Sequence, residues 1–192
     1  MIPFPHDRGA TVIATSTGYF DLADPRPEDI SLADIARALS RINRFTGHGY
    51  RMISVARHSV NCYAESTRRG LPLDVRRLAL MHDAAEAYVG DVSRPLKQLL
   101  PEYKRIEARV WSAVVARFGL SEILPTEDKE INNLALISEA AILFPQHDRW
   151  PGWPDPVGHM GMLAGSSQSG RSSATAAMLD FLLCARECGL AE

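Results

Sequence analysis

The chain has 192 residues, 46% of them hydrophobic and 23% charged, with a formal net charge of -2, which suits one globular domain able to bury its own core. Such a charge balance excludes a general polyanion binder, so no nucleic-acid polymer is expected as a partner, whereas a small anion held by a few local cations is compatible. No stretch approaches the roughly twenty apolar residues of a membrane span, the first residues lack a signal-peptide core, and Cys62, Cys184 and Cys188 are odd in number without CxxC spacing, so a reduced, cytoplasmic setting is expected.

Thr11 to Thr15 is rich in β-formers, Ser16-Thr-Gly18 is a turn signal and Tyr19-Phe20 returns, which predicts a small hairpin within residues 10–22. Ser31-Leu-Ala-Asp34 has the pattern of a capping box, and Leu32, Ile35, Leu39 and Ile42 share one stripe, so a helix starts there and should end near 44–49. A second helix is predicted over about 53–69, stopped by Gly70 and Pro72, with His58, Ser59 and Cys62 on its general side. The third runs from about Asp74 to Gly90, with Val75, Leu78, Ala79 and His82 on one stripe, which carries His82 inward.

After a turn at Ser93-Arg-Pro95, a fourth helix covers about 102–118, with Ile106, Val110, Trp111 and Val114 apolar and Gly119 as its stop. Thr126 is placed to cap a fifth, reaching Phe144 with Ile131, Leu134, Ile137 and Ala141 inward. Residues 145–170 turn rich in Pro, Gly and Ser, the composition of a long loop. A last helix over about 173–188 packs Ala177, Met178, Phe181 and Leu182, and Cys184 and Cys188 read as packing residues. The sum is an all-α helical bundle with a small N-terminal β-hairpin, a single domain over residues 1–192.

The chemistry gathers at 81–91, Met-His-Asp-Ala-Ala-Glu-Ala-Tyr-Val-Gly-Asp. On a helix, His82 and Glu86 lie four apart on one face, and Asp83 reaches that face only from its edge. His58, on the preceding helix, aims inward as well. A lone inward histidine is commonly a satisfied core residue, but a His-Asp pair facing a second histidine gives several buried polar groups one shared solution, a divalent metal ion.

His58, then His82-Asp83-Ala-Ala-Glu86, Gly90-Asp91 and Pro95-Leu-Lys97 together resemble the HD-domain metal-dependent phosphohydrolases. Arg44-Phe-Thr-Gly-His48 and Leu100-Pro-Glu-Tyr-Lys104 are similar to the branch of bacterial and phage 5′-deoxynucleotidases, and the resemblance covers about residues 17–144. It implies an HD-domain helical bundle holding one divalent ion by two histidines and two aspartates, with His58, His82 and Asp83 as three of the ligands. Glu86 would orient or deprotonate the attacking water, Arg44 would hold a phosphate and Asp91 would meet the sugar 3′-hydroxyl. Lys97 is a further phosphate candidate. The plainer readings are that Arg44 and Lys97 are solvated charges and Asp91 a turn residue.

The chain departs from that pattern at one place. Seven residues before Glu139, where relatives of this branch carry the last aspartate, stands Asn132, a neutral oxygen donor; Asp128, four residues earlier on the same helix face, is the substitute. With Asn132 as fourth ligand the site keeps more positive charge, which weakens metal retention but strengthens attraction for phosphate and acidifies bound water. Nitrogen and oxygen ligands fit manganese, cobalt, nickel, iron or magnesium. The expected activity is 5′-dephosphorylation of deoxyribonucleoside monophosphates, small-molecule nucleotides. The alternatives are release of triphosphate from deoxynucleoside triphosphates, or a non-catalytic nucleotide-binding module with a degenerate metal site. The resemblance also implies self-association as a dimer or higher.

Overall fold

The computed structural model describes residues 9–146 and 174–190; among them the chain is mostly helical, with one small antiparallel sheet at its start. Strands β1 (Val12–Ala14) and β2 (Tyr19–Asp21) pair with Val12 opposite Asp21 and Ala14 opposite Tyr19. The intervening turn is tied to the first helix, α1 (Leu32–Leu39), because the hydroxyls of Ser16 and Thr17 both donate to the Asp34 carboxylate. Ser31 caps α1 as expected, its Oγ accepting from Asp34 N at 3.3 Å. The reciprocal half of the capping box is missing: Asp34 serves the hairpin, and the Ser31 N–H goes to Tyr88 Oη at 3.3 Å. The helix also stops at Leu39, short of the expected 44–49, and a loop takes over.

The following helices are α2 (Val55–Arg68), α3 (Leu73–Met81), the single turn α4 (Glu86–Val89), α5 (Arg94–Leu99), α6 (Pro101–Phe118), α7 (Thr126–Leu143) and α8 (Ala174–Glu187). Helix α2 is the axis of the bundle, since α1, α3, α7 and α8 all pack on it. The main core is built from Phe20, Ile35, Leu39, Leu80, Met81 and Phe181, all fully buried, each worth roughly 1.5–3 kcal/mol relative to exposure. A second, smaller core of Cys62, Ala79, Ile131, Leu134 and Ala135 fills the seam where α2, α3 and α7 meet. The functional residues lie along that seam.

Several local expectations are corrected. The turn at 93–95 is helix α5, with Pro95 within its first turn, where a missing N–H breaks no helical bond. Thr126 is the first residue of α7 rather than its cap; Pro125 precedes it and no side chain bonds the helix start. Ile131 and Leu134 face inward as the spacing predicts, but Ala141 is exposed, and Ser138 and Glu139 take the buried face. Gly119 ends α6 in the left-handed region at φ 61°, as a helix stop requires. The loop expected at 145–170 lies, from residue 147 on, outside the described residues, as does the expected first residue of the last helix, Ser173. No described helix is long and apolar enough to cross a membrane.

Candidate metal centre

Helix α2 begins at Ser54, whose Oγ accepts from Arg57 N at 3.2 Å, and this register turns His58 and, one turn later, Cys62 into the seam. The His58 ring is fully buried, and its Nδ1 donates to Glu139 Oε1 on α7 at 2.8 Å. Burial opposes charge on Glu139, but Arg44 and His58 overcome it and hold the carboxyl below its usual range, so it is an acceptor. On the other side, His82 Nδ1 donates to the Ala79 carbonyl at 3.0 Å. Both rings are thereby oriented alike: Nδ1 is spent on an outer partner, and the two Nε2 atoms face each other 3.2 Å apart. Asp83 Oδ2 lies 3.6 Å from the Nε2 of His58 and 3.4 Å from that of His82.

Three electron-rich atoms converging on one point need a cation among them. In the metal-free protein a proton serves: burial works against a charged ring, but Asp83, with Asp128 behind it, holds His82 up at about 9. Asp83 itself is held far below the carboxylate range, against its burial, chiefly by His82, then His58 and Arg44. An outer carboxylate and a carbonyl fixing the Nδ1–H of each imidazole is the arrangement that presents histidines to metals. The residues present therefore fit a divalent ion.

The expectation that His82 and Glu86 share one helix face is overturned. Helix α3 stops at Met81, and the chain tightens through 82–85, with Ala84 N bonding Met81 O, Glu86 N bonding Asp83 O and Ala87 N bonding Ala84 O. These i→i−3 bonds give about three residues per turn, which eclipses positions three apart. Asp83, rather than His82, is thus in line with Glu86. Burial and then the Asp83 and Asp91 charges push Glu86 up to about 9. Its Oε1 accepts from Lys97 Nζ at 3.3 Å, while Oε2 is buried without a hydrogen bond. Lys97 is shared with Glu107 at 2.6 Å. Asp91 belongs to the same field: burial raises its pKa, Arg44 and Lys97 draw it down and Asp83 pushes it up.

Arg44 enters from the neck of a loop. Its N–H donates to Ile53 O at 2.9 Å, Ile53 N donates to Asn43 Oδ1 at 3.1 Å, and Asn43 bridges to Ser54. Beyond the neck, Phe45 and Thr46 lie in the left-handed region at φ 55° and 54°, a conformation costing non-glycine residues on the order of 1–3 kcal/mol each. The loop seats on α7 through Tyr50 N, which donates to Leu143 O at 3.1 Å. Gly49 is required there, since a Cβ would stand 2.9 Å from Leu143 Cδ2. Arg44 is 11% exposed; its Nε donates to Glu139 at 2.7 Å and its Nη1 is 3.5 Å from Asp83.

Of the two α7 candidates, Asp128 is buried, 2% exposed, in the field of His82, Asp83 and His58. Asn132 is half-buried, and none of the hydrogen bonds described for the cluster reaches it. Two further residues belong to the cluster. Glu139 orients both His58 and Arg44 from 81 and 95 residues away, which no local pattern reveals. Cys62 does carry a local signal, because it follows His58 by four on one helix face. Its Sγ is 3.7 Å from His58 Nε2, and the ligand atoms of His58, Cys62 and His82 all lie within 4.8 Å of one another, a group able to hold a metal ion.

No family model matches the chain. The Rhodobacter capsulatus uncharacterized protein RCAP_rcc00048 is 35% identical over 156 residues, covering 71% of this chain and 76% of that protein. The chain belongs to this family. YfdR of Escherichia coli K12, likewise an uncharacterized protein, is 40% identical over 121 residues, covering 63% of this chain. The match spans 64% of YfdR, a little under two thirds of its length.

Proposed function

We propose that this chain is an HD-type, metal-dependent phosphohydrolase that removes the 5′-phosphate of deoxyribonucleoside monophosphates. The observation that carries the reading is the pair of imidazole Nε2 atoms facing each other 3.2 Å apart beside Asp83, each ring fixed from behind. His58, His82 and Asp83 would hold the ion, with Asp128 as the carboxylate at hand on α7 and Asn132 as the neutral alternative. When bound, the ion supplies Lewis acidity toward phosphoryl oxygen and acidifies water.

The residues around it divide the remaining work. Glu86 accepts the proton of the attacking water as the new P–O bond forms and the bond to the 5′-oxygen breaks, and the departing oxygen takes up a proton. With Asp83's charge committed to a cation, one of the charges that keeps Glu86 protonated is neutralised, so loading the site favours its carboxylate form. Arg44, aligned by Glu139, adds positive charge beside the phosphoryl group. Lys97 lies on the Glu86 side, and Asp91 is the group proposed to meet the sugar hydroxyl.

The test is to give metal-free protein manganese or cobalt and offer deoxyribonucleoside mono- and triphosphates, identifying the phosphorus product. Orthophosphate from a monophosphate supports the reading. Tripolyphosphate would replace it with triphosphate release. Nucleotide binding that survives chelation, with no product, would make the chain a binding module.

A further inference from the structure

We infer that Cys62 is a ligand of the metal centre, so that the site holds its ion through a mixed set of two imidazoles and a thiolate and prefers thiophilic divalent ions such as zinc or cobalt over magnesium. The inference rests on the metal site of the preceding proposal and adds the identity of a ligand and the class of metal.

The geometry comes from bond lengths. Zinc–nitrogen bonds of about 2.0–2.1 Å and zinc–sulfur bonds of about 2.3 Å, opened to a tetrahedral angle, place two ligand nitrogens about 3.3 Å apart and a nitrogen and a sulfur about 3.6 Å apart. The observed separations are 3.2 Å between the two Nε2 atoms and 3.7 Å between Cys62 Sγ and His58 Nε2. Cys62 and His82 are held within 4.8 Å in the same group. An oxygen ligand belongs about 3.4 Å from each nitrogen on the same arithmetic, and Asp83 Oδ2 is found at 3.4 and 3.6 Å. The sulfur thus stands off His58 Nε2 at ligand-to-ligand spacing.

The surroundings favour the same assignment. Cys62 is 1% exposed on the α2–α3–α7 seam and is a free cysteine. The small apolar core beside it, formed by Ala79, Ile131, Leu134 and Ala135, offers the sulfur no polar partner. The thiol sulfur and the Nε2 atoms of both rings lie within 4.8 Å of one another. On coordination the metal–sulfur bond replaces the S–H bond, and the proton leaves to solvent, as coordinating thiols do. Soft sulfur is the donor that separates zinc and cobalt from magnesium and calcium, which favour oxygen.

Cobalt(II) titrated into the metal-free full chain, followed by absorption, tests this without reference to turnover. The expected result is a set of visible d–d bands together with a near-ultraviolet sulfur-to-cobalt charge-transfer band. Cys62→Ser and Cys62→Ala should both lose the charge-transfer band while retaining helical circular dichroism. Their zinc affinity should fall at least about tenfold, since even outer partners of metal ligands are worth that much. Visible bands without charge transfer in the wild-type chain would overturn the Cys62 assignment and leave the His58–His82–Asp83 centre standing. No cobalt spectrum at all would overturn both.

Discussion

Two polar groups stand on α2 about two turns apart, and they behave differently. Around Glu65, a buried carboxylate accepts from Arg68 Nε and Nη2 at 2.7 Å each and from Arg69 Nε at 2.8 Å. Its charge is matched within one stretch of helix, and Arg68 is largely exposed. Around His58, the matching runs outward only: Nδ1 is satisfied by Glu139, while Nε2 confronts a second acceptor atom, a thiol and a carboxylate. A buried polar group completed by its own helix is architecture. One whose acceptors converge from α2 and from the turn that follows α3, aimed at a single point, is shaped for a ligand.

The sharpest way to break that contrast is to remove a converging ring. His58→Ala should abolish metal retention and turnover, read by metal content after dialysis and by product formation, with affinity falling at least about a hundredfold. Retained metal in that variant would show that the convergence is not a ligand set. Next in size is Glu86→Gln, expected to lower kcat about 10²–10⁴-fold with metal content unchanged; wild-type turnover would remove Glu86 from the chemistry. The same variant carries a pH signature in the metal-free protein. Glu86 is held at about 9 when folded, against an ordinary 4.5. Between those values the folded state binds a proton that the unfolded chain has lost, so this group makes stability fall as pH rises. The glutamine variant should flatten that slope in thermal melts.

A smaller effect is expected from Glu139→Gln, which removes the charge behind His58 and Arg44. Metal affinity should drop about 10–100-fold with the helical content intact, measured by competition with a chelator. The least is expected at the self-contained group. Glu65→Gln should leave metal affinity untouched and lower the melting temperature by a few degrees at pH 7. The Arg68 hydrogen bond, with Arg69, holds Glu65 down at about 2 against its burial. Its contribution is therefore present above about pH 4.5 and lost as pH falls toward 2, so the two melting curves should converge there.

Helix placement was legible where local signals decide it. The serine before α1, the glycine after α6 and the apolar spacing at Ile131 and Leu134 all act within one turn of the chain. Of the candidate site, the inward stripes of the second and third predicted helices brought out His58 and His82, and these two rings do face each other. What stayed hidden depends on tertiary choices. The i→i−3 tightening at 82–85 replaces a period of 3.6 with one near three, which aligns Asp83 with Glu86, and no residue in Met-His-Asp-Ala-Ala-Glu announces it. Asp128 and Asn132 stand one turn apart on the same face of α7, so which of them is buried beside His82 depends on how that helix packs, a tertiary choice. Cys62 was concealed by its ordinary role, since a buried cysteine in an apolar seam passes for a small hydrophobe.

The neck that holds Arg44 separates what must stay from what is free to change. Asn43, Arg44, Ile53 and Ser54 are joined by their own backbone and amide bonds, so the arginine is positioned before the chain reaches the exposed tip at Thr46–His48. Doubling the length of a flexible loop adds only about 0.6 kcal/mol of closure entropy. Residues inserted at that tip would therefore reshape the rim beside the candidate metal centre without moving the arginine at its base, so this loop can vary in length while the site keeps its charge.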